Sequence, residues 1–370
     1  MHRRTLLRAG TAALAAPAAF TALARGTAQA VPLPVQGVDL SSVPKAEDLG
    51  AVFRHADGTP GDPVAILAAG GANHVRLKVW VSSPDGYHGL PQILAMGQRA
   101  HAHGMRLLID FHYSDSWADP GQQNKPAAWT GLSFADLEQA VYDHTHEILS
   151  GLARQGTPAA MAQIGNEING GLLWPDGSTA DFDALARLLT AGSRAATDAT
   201  PGIEVALHLA EGGDNPATVW WFDNAVQRGV PFDVIALSFY GYWHGTLDDL
   251  RINAIDCAAR YERDIVVAET AYPFVLADSD GHPNIIADPS QLVPDFGASL
   301  EGQADWVRAV SQVLSEVPEG RGRGLYYWEP AWIATPGNGW DPYDPASGNA
   351  WENQAFFDFQ GRALPAATWR

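Results

Sequence analysis

Short apolar runs recur along the chain from residue 35 onward, and each is followed by a longer stretch in which apolar residues return every three or four positions. An aliphatic and β-branched run bounded by turn formers reads as a buried strand, and a stretch with the 3.6-residue period reads as a helix packed on one face. Eight strands are predicted, at 35–40, 74–80, 106–111, 159–164, 204–209, 234–240, 264–268 and 324–328. The helical period is clearest over 133–154, where Ser133 can cap the first turn and Leu137, Val141, Ile148 and Leu152 form one apolar face. Helices are also predicted at 91–103, 182–198, 218–227, 247–261 and 303–317, while the first and last helices of the series are poorly marked. There is no internal repeat, heptad or low-complexity tract after residue 30, and no compositional break that would mark a linker. The alternation therefore predicts one α/β catalytic domain over 31–370, a single (β/α)8 barrel. The Gly/Pro/Asp/Asn-rich stretches 114–130, 274–298 and 334–354 all follow strands and are expected to stand together as long loops on its C-terminal face.

The first thirty residues fall outside that pattern. A basic start with Arg3-Arg4 leads into an alanine-rich apolar stretch broken by Pro17 and closed by Ala28-Gln29-Ala30. This predicts a signal peptide over 1–30, of the twin-arginine type, and hence a secreted, extracellular protein. The stretch is too short and interrupted for an anchor, and no later segment is long and apolar enough to span a bilayer, so no membrane partner is expected. Without the four arginines of the leader the formal charge moves from −19 to −23, which argues against nucleic acid as a partner. Cys257 is the only cysteine, so no intrachain disulfide can form, and inside the predicted helix 247–261 it reads as a core residue. The thirteen tryptophans are more telling, because aromatic faces stack on the apolar faces of sugar rings. A monomer acting on a polysaccharide is expected.

The predicted strand ends are polar and aromatic: Asp39, Arg76 with Trp80, His112 with Tyr113, Asn166 with Glu167, His208, Tyr240, Glu269, and Trp328 with Glu329. In a parallel barrel these ends share one face, so their concentration there predicts a site even though any single His or Arg has an ordinary structural explanation. Glu167 and Glu269 each close an apolar run. Two carboxyl groups flanking a sugar ring are what glycosidic cleavage through an oxocarbenium-like transition state needs, one protonated beside the leaving oxygen and one ionised below the anomeric carbon. A retaining route would set them roughly 5–5.5 Å apart. Asn166 is suited to holding a sugar hydroxyl, and Arg76 and Tyr240 to keeping the nucleophile ionised.

Longer motifs narrow the reading. Gly37-Val38-Asp39-Leu40-Ser41, Val75-Arg76-Leu77-Lys78-Val79-Trp80, Asp110-Phe111-His112-Tyr113-Ser114-Asp115-Ser116-Trp117-Ala118-Asp119-Pro120, Gln163-Ile164-Gly165-Asn166-Glu167-Ile168, Ser238-Phe239-Tyr240-Gly241, Ala268-Glu269-Thr270-Ala271-Tyr272-Pro273 and Trp351-Glu352-Asn353-Gln354-Ala355 occur in that order. Together they resemble the arabinogalactan endo-β-1,4-galactanases of glycoside hydrolase family 53, across the whole chain after the leader. The resemblance implies retaining endo-hydrolysis of β-1,4-galactan, a pectin side chain, with Glu167 as acid/base and Glu269 as nucleophile. It implies substrate contacts from Asp39, Arg76, His112, Trp117, Asn166, His208, Tyr240 and Trp328. Trp328 would floor the subsite at the cleaved bond, with Trp117 and Trp129 either lining neighbouring subsites or packing between loops. It further implies one structural calcium ion, Ca2+, held by the side chains of Asp278 and Asn284, the carbonyls of His282 and Ala350, and the carboxylate of Glu352, where a shorter Asp would be the more familiar ligand.

Other readings stay open on residues alone. The run Asp278-Ser279-Asp280-Gly281-His282-Pro283-Asn284 also suits a solvated acidic loop without metal. Another endo-β-glycanase, acting on mannan or cellulose, would share the barrel and the acid pair. A glycan-binding barrel without catalysis would need neither acid, and a hydrolytic metal centre built from His112, His208 and Asp115 lacks any close ligand spacing.

Overall fold

The computed structural model describes residues 33–369, so the predicted signal peptide over 1–30 lies outside the described residues. Eight strands form the ring: β1 Val35–Asp39, β2 His74–Val79, β3 Arg106–Phe111, β4 Met161–Ile164, β5 Glu204–Leu209, β6 Val234–Ser238, β7 Asp264–Thr270 and β8 Gly322–Tyr327. Each pairs in parallel with the next, and β8 returns to β1 with Gly324 opposite Val35 and Tyr327 opposite Val38, so the sheet closes as a barrel. Every predicted strand is present, two with the predicted bounds and the rest with ends shifted by at most two residues.

Around the ring lie α1 Val43–Asp48, α2 Pro63–Gly70, α3 Leu90–Ala102, α4 Phe134–Arg154, α5 Phe182–Ala199, α6 Asn215–Gln227, α7 Leu247–Tyr261 and α8 Leu300–Ser315. Ser133 caps α4 as predicted, accepting from the Asp136 amide at 3.3 Å. The predicted start of α6 at residue 218 is three residues late, because Asp214 caps a first turn that opens on Asn215-Pro216. The first connection contains two helices, α1 and α2, too short to print a period on the sequence. After β8 no α-helix follows among the described residues; two 3₁₀ turns do, Glu352–Gln354 and Pro365–Ala367, and the second packs on α8. Cys257 is buried in α7. Among the described residues no helix is long and apolar enough to cross a membrane.

Two apolar layers hold the assembly. The larger packs the helices on the outside of the ring, and a smaller one of Val35, Leu108, Met161, Ala206, Val234, Val266 and Tyr326 fills its interior. Gly37 belongs to that inner layer because a Cβ there would sit 2.2 Å from the Tyr326 ring. Strand alternation carries the inner face upward from these residues to Asp39, Asp110, Gln163 and His208, which are buried polar groups at the C-terminal end. On β7 the alternation is reset. Leu237 pairs with Val267 and Ser238 with Glu269, so Ala268 is an extra residue against β6, and the register with β8 shifts over the same stretch. This bulge turns Glu269 inward and leaves Thr270 on the outer side, where its hydroxyl accepts from Trp306 of α8 at 2.9 Å.

Candidate active site

At the C-terminal end of the ring, a cleft of about 510 Å³ is lined by Glu167 and Glu269 together with Arg76, His112, Asn166 and Tyr240. Its walls are tryptophan: Trp117, Trp243, Trp328, Trp332, Trp340 and Trp351 all face it. Nearly half of the chain's thirteen tryptophans thus gather at one opening, far more than core packing alone would place there.

Arg76 organises the polar floor. Its guanidinium reaches Asp39 at 2.8 Å, Asp110 at 2.9 Å, Glu269 at 2.8 Å, the Asn166 side-chain oxygen at 2.8 Å and the Gln163 side-chain oxygen at 3.1 Å. Burial opposes its charge, but Asp110, Glu269 and Asp39 outweigh burial and hold the proton firmly on Arg76. Asp110 is likewise fully buried, yet Arg76 and His112 keep its carboxyl below the usual value. His112 donates from Nε2 to Asp110 at 3.0 Å, a tautomer set by Ala118 N and Trp80 Nε1 donating to Nδ1 at 3.1 and 3.3 Å.

The two glutamates sit in different surroundings. Glu269 has both oxygens engaged, Oε1 by Arg76 at 2.8 Å and Oε2 by the Tyr240 hydroxyl at 3.0 Å. Burial raises its carboxyl above the ordinary value, opposed by Arg76 and Tyr240. Glu167 is not contacted by any cation among the described residues; burial and then the charge of Glu269 push its carboxyl up to about 8, against a weaker opposing hydrogen bond from Ser238. The cleft therefore keeps a proton on Glu167 and leaves Glu269 as the group that ionises first. Glu167 itself has left-handed backbone, with φ 48° and ψ 51°, following Gly165 at φ 86°. Such a conformation in a non-glycine residue is costly and marks a site the surroundings enforce.

Of the predicted substrate contacts, Arg76, His112, Trp117, Asn166, Tyr240 and Trp328 line the cleft, whereas Asp39 and His208 do not. Asp39 is 1% exposed, tied to Arg76 and to Ser41, and His208 is fully buried between Asn166 and Ser238 at 2.9 Å each. Both support contact residues from beneath. Trp129 packs on Tyr113 and His144 with ring centroids 6.4 and 6.0 Å apart, so of its two expected roles it takes loop packing. Asn166 spends one amide hydrogen on the Ala118 carbonyl at 2.8 Å. His112, His208 and Asp115 do not form a convergent group of metal-ligand atoms among the described residues, and Asp115 is held by the Ser82 and Ala127 amides.

Residues not singled out from the sequence include Lys78, Asp110 and Gln163. Asp110 and Gln163 interrupt otherwise apolar strands, a signal that a buried partner awaits them. Lys78 pairs with the buried Glu329 at 3.0 Å and lies 3.9 Å from the Trp117 ring centroid, bracing that ring from the barrel side. Away from the cleft, Asp278, Asp280 and Glu352 each present an oxygen within 4.8 Å of the others, the one such group of metal-capable side chains among the described residues. Beside them the Asn284 side-chain oxygen is buried without a hydrogen-bond partner. Asp280 was not among the expected ligands, and the Ala350 carbonyl accepts from Ile285 N at 2.9 Å.

Residues 35–369 match Glycosyl hydrolase family 53. The chain is 35% identical over 370 residues to the endo-beta-1,4-galactanase of Bacillus subtilis (strain 168), covering 90% of this chain and 84% of that one. It is similar in structure to the family 53 catalytic domain of Ignisphaera aggregans, with a TM-score of 0.88 and 42% identity over 92% of this chain and 96% of that one. A structure from a study of two fungal beta-1,4-galactanases gives a TM-score of 0.80 and 34% identity, over 91% and 98% of the two chains. With that acid pair at the end of a closed parallel barrel, the chain belongs to glycosyl hydrolase family 53 and is a glycoside hydrolase.

Proposed function

We propose that this chain is a secreted, retaining endo-β-1,4-galactanase, with Glu167 as acid/base and Glu269 as nucleophile. The observation that carries the roles is the unequal company of the two carboxyls: Arg76 and Tyr240 hold Glu269, while Glu167, raised to about 8, keeps its proton. The galactan specificity is supported by relatives so named that cover most of the chain. Secretion is supported by the leader pattern of residues 1–30 alone.

A galactan chain lies along the tryptophan walls, its sugar faces on the rings. Glu167 gives its proton to the glycosidic oxygen as the bond breaks, and the Glu269 carboxylate attacks the anomeric carbon to form a glycosyl ester. Glu167, now ionised, takes a proton from water, which displaces Glu269 and restores the β-configuration. Arg76 and Tyr240 each engage one Glu269 oxygen before the step, so the carboxylate is oriented when it attacks.

A calcium ion is also part of the proposal. Three clustered carboxylates and the unpartnered Asn284 oxygen suit a hard cation with oxygen ligands. Asp278, Asp280, Asn284 and Glu352 would hold it through side chains, with His282 and Ala350 contributing carbonyls. Bound there, the ion supplies charge that ties the loop after β7 to the loop after β8.

The test measures reducing ends released from unbranched galactan, mannan and cellulose by the wild type, Glu167→Gln and Glu269→Gln. Galactan is expected to be the cleaved substrate, with Glu167→Gln slower by about 10²–10⁴-fold and Glu269→Gln at background. Full activity in either variant removes that residue from its role, and preference for another glycan removes the specificity.

A further inference from the structure

The loop that follows β3 is laced to the loop that follows β4 and carries Glu167. Gln123, 1% exposed, is the centre of the lacing. Its Nε2 donates to three main-chain carbonyls, those of Asn166 at 2.8 Å, Asp119 at 3.2 Å and Glu167 at 3.4 Å. Three acceptors around one amide settle which way it points, because only the NH₂ end can face them. The Gln123 carbonyl accepts from Trp174 N at 2.7 Å, Asn124 bridges to Trp174, and Lys125 pairs with Asp176.

The Asn166 carbonyl belongs to the peptide whose plane sets φ of Glu167, and the Glu167 carbonyl to the peptide whose plane sets ψ. One amide therefore grips both planes on either side of the left-handed residue and ties them to the Asp119 turn. That turn is itself closed by Asp119 accepting from Gly121 N at 2.8 Å and Gln122 N at 3.1 Å. A backbone conformation that a glutamate does not favour needs such over-determination to persist.

We propose that Gln123 is a positioning residue for the acid/base, its side-chain amide clamping the two peptides that flank Glu167 so that the carboxyl stands at the cleft in one orientation. The inference rests on Glu167 being the proton donor of the proposed function.

The variants Gln123→Leu and Gln123→Glu remove the donor, the second while keeping the shape. On galactan, kcat is expected to fall roughly ten- to a hundred-fold, the order expected for a reacting group displaced by about 1 Å, with KM little changed. On dinitrophenyl β-galactobioside, whose leaving group departs without a proton, the burst of dinitrophenolate should stay near the wild-type rate, because nucleophilic attack by Glu269 is untouched. Glu167→Gln is measured alongside. Loss of that leaving-group contrast in Glu167→Gln would sink the acid/base assignment itself. Its presence there, together with Gln123 variants that slow both substrates alike or keep full galactan activity, would overturn the positioning role. Should Gln123→Leu fail to fold by circular dichroism, the contrast is read on Gln123→Glu.

Discussion

Glu167 and Glu269 are one kind of residue in one cleft, and a guanidinium and a phenol separate their behaviour. In the proposed mechanism the productive form carries a proton on Glu167 and none on Glu269, which fixes the sign of the pH dependence. Activity is expected to disappear as pH rises through about 8, where Glu167 ionises. It should also fail as pH drops, at a value above that of an ordinary carboxylate because burial raises Glu269. The kcat/KM profile on galactan reads both limbs. In Glu269→Gln the carboxyl carbon resonance of Glu167 should titrate lower than in the wild type, since the neighbouring charge is gone; an unmoved titration would contradict the coupling. At this scale the sequence was informative about groups that open on the cleft and poor on those beneath it. Arg76, Glu167 and Glu269 stand out at strand ends, but Asp39 and His208 look identical to contact residues until burial is known. Gln123 is one polar residue in a polar loop, and two of its three carbonyl partners, those of Asn166 and Glu167, come near it only when the chain folds.

Strands and turns deliver these groups, and after β4 the backbone has positive φ at both Gly165 and Glu167. Gly165 has φ 86°, and a Cβ there would meet the Ile168 side chain at 2.6 Å. Gly165→Ala is expected to destabilise by about 1–3 kcal/mol in urea unfolding and to lower kcat further than the loss of folded protein explains, because the displaced turn begins the segment that holds Glu167. The strands themselves were readable to within two residues because a parallel barrel buries both strand faces, and nearly continuous apolar runs result. The helices α1 and α2 were not readable, having six and eight residues and too few turns to establish a period. The bulge on β7 was equally invisible: it depends on pairing with two neighbours, and simple alternation from Val266 would have pointed Thr270, not Glu269, at the substrate.

At the scale of the whole molecule, the loops after β7 and β8 meet over the proposed calcium ligands, and Asp280 also accepts from Asn349 N at 2.8 Å. Chelation should lower the melting temperature, and added calcium should restore it; an unchanged melt with no metal in elemental analysis would refute the ion. The overall architecture was legible because βα alternation over this length admits few alternatives, whereas the absence of a helix after β8 and the partners of each acid depend on contacts between distant parts of the chain. Closure of the ring brings the earliest strand, with Asp39, against the latest, with Gly324 and the residues leading to Trp328. A nascent polypeptide therefore owns no working catalyst until nearly its last segment has been synthesised and has docked beside its first. The appearance of turnover during refolding would report that final docking, and fragments split between α4 and β4 should be inert apart yet regain turnover when they reassociate.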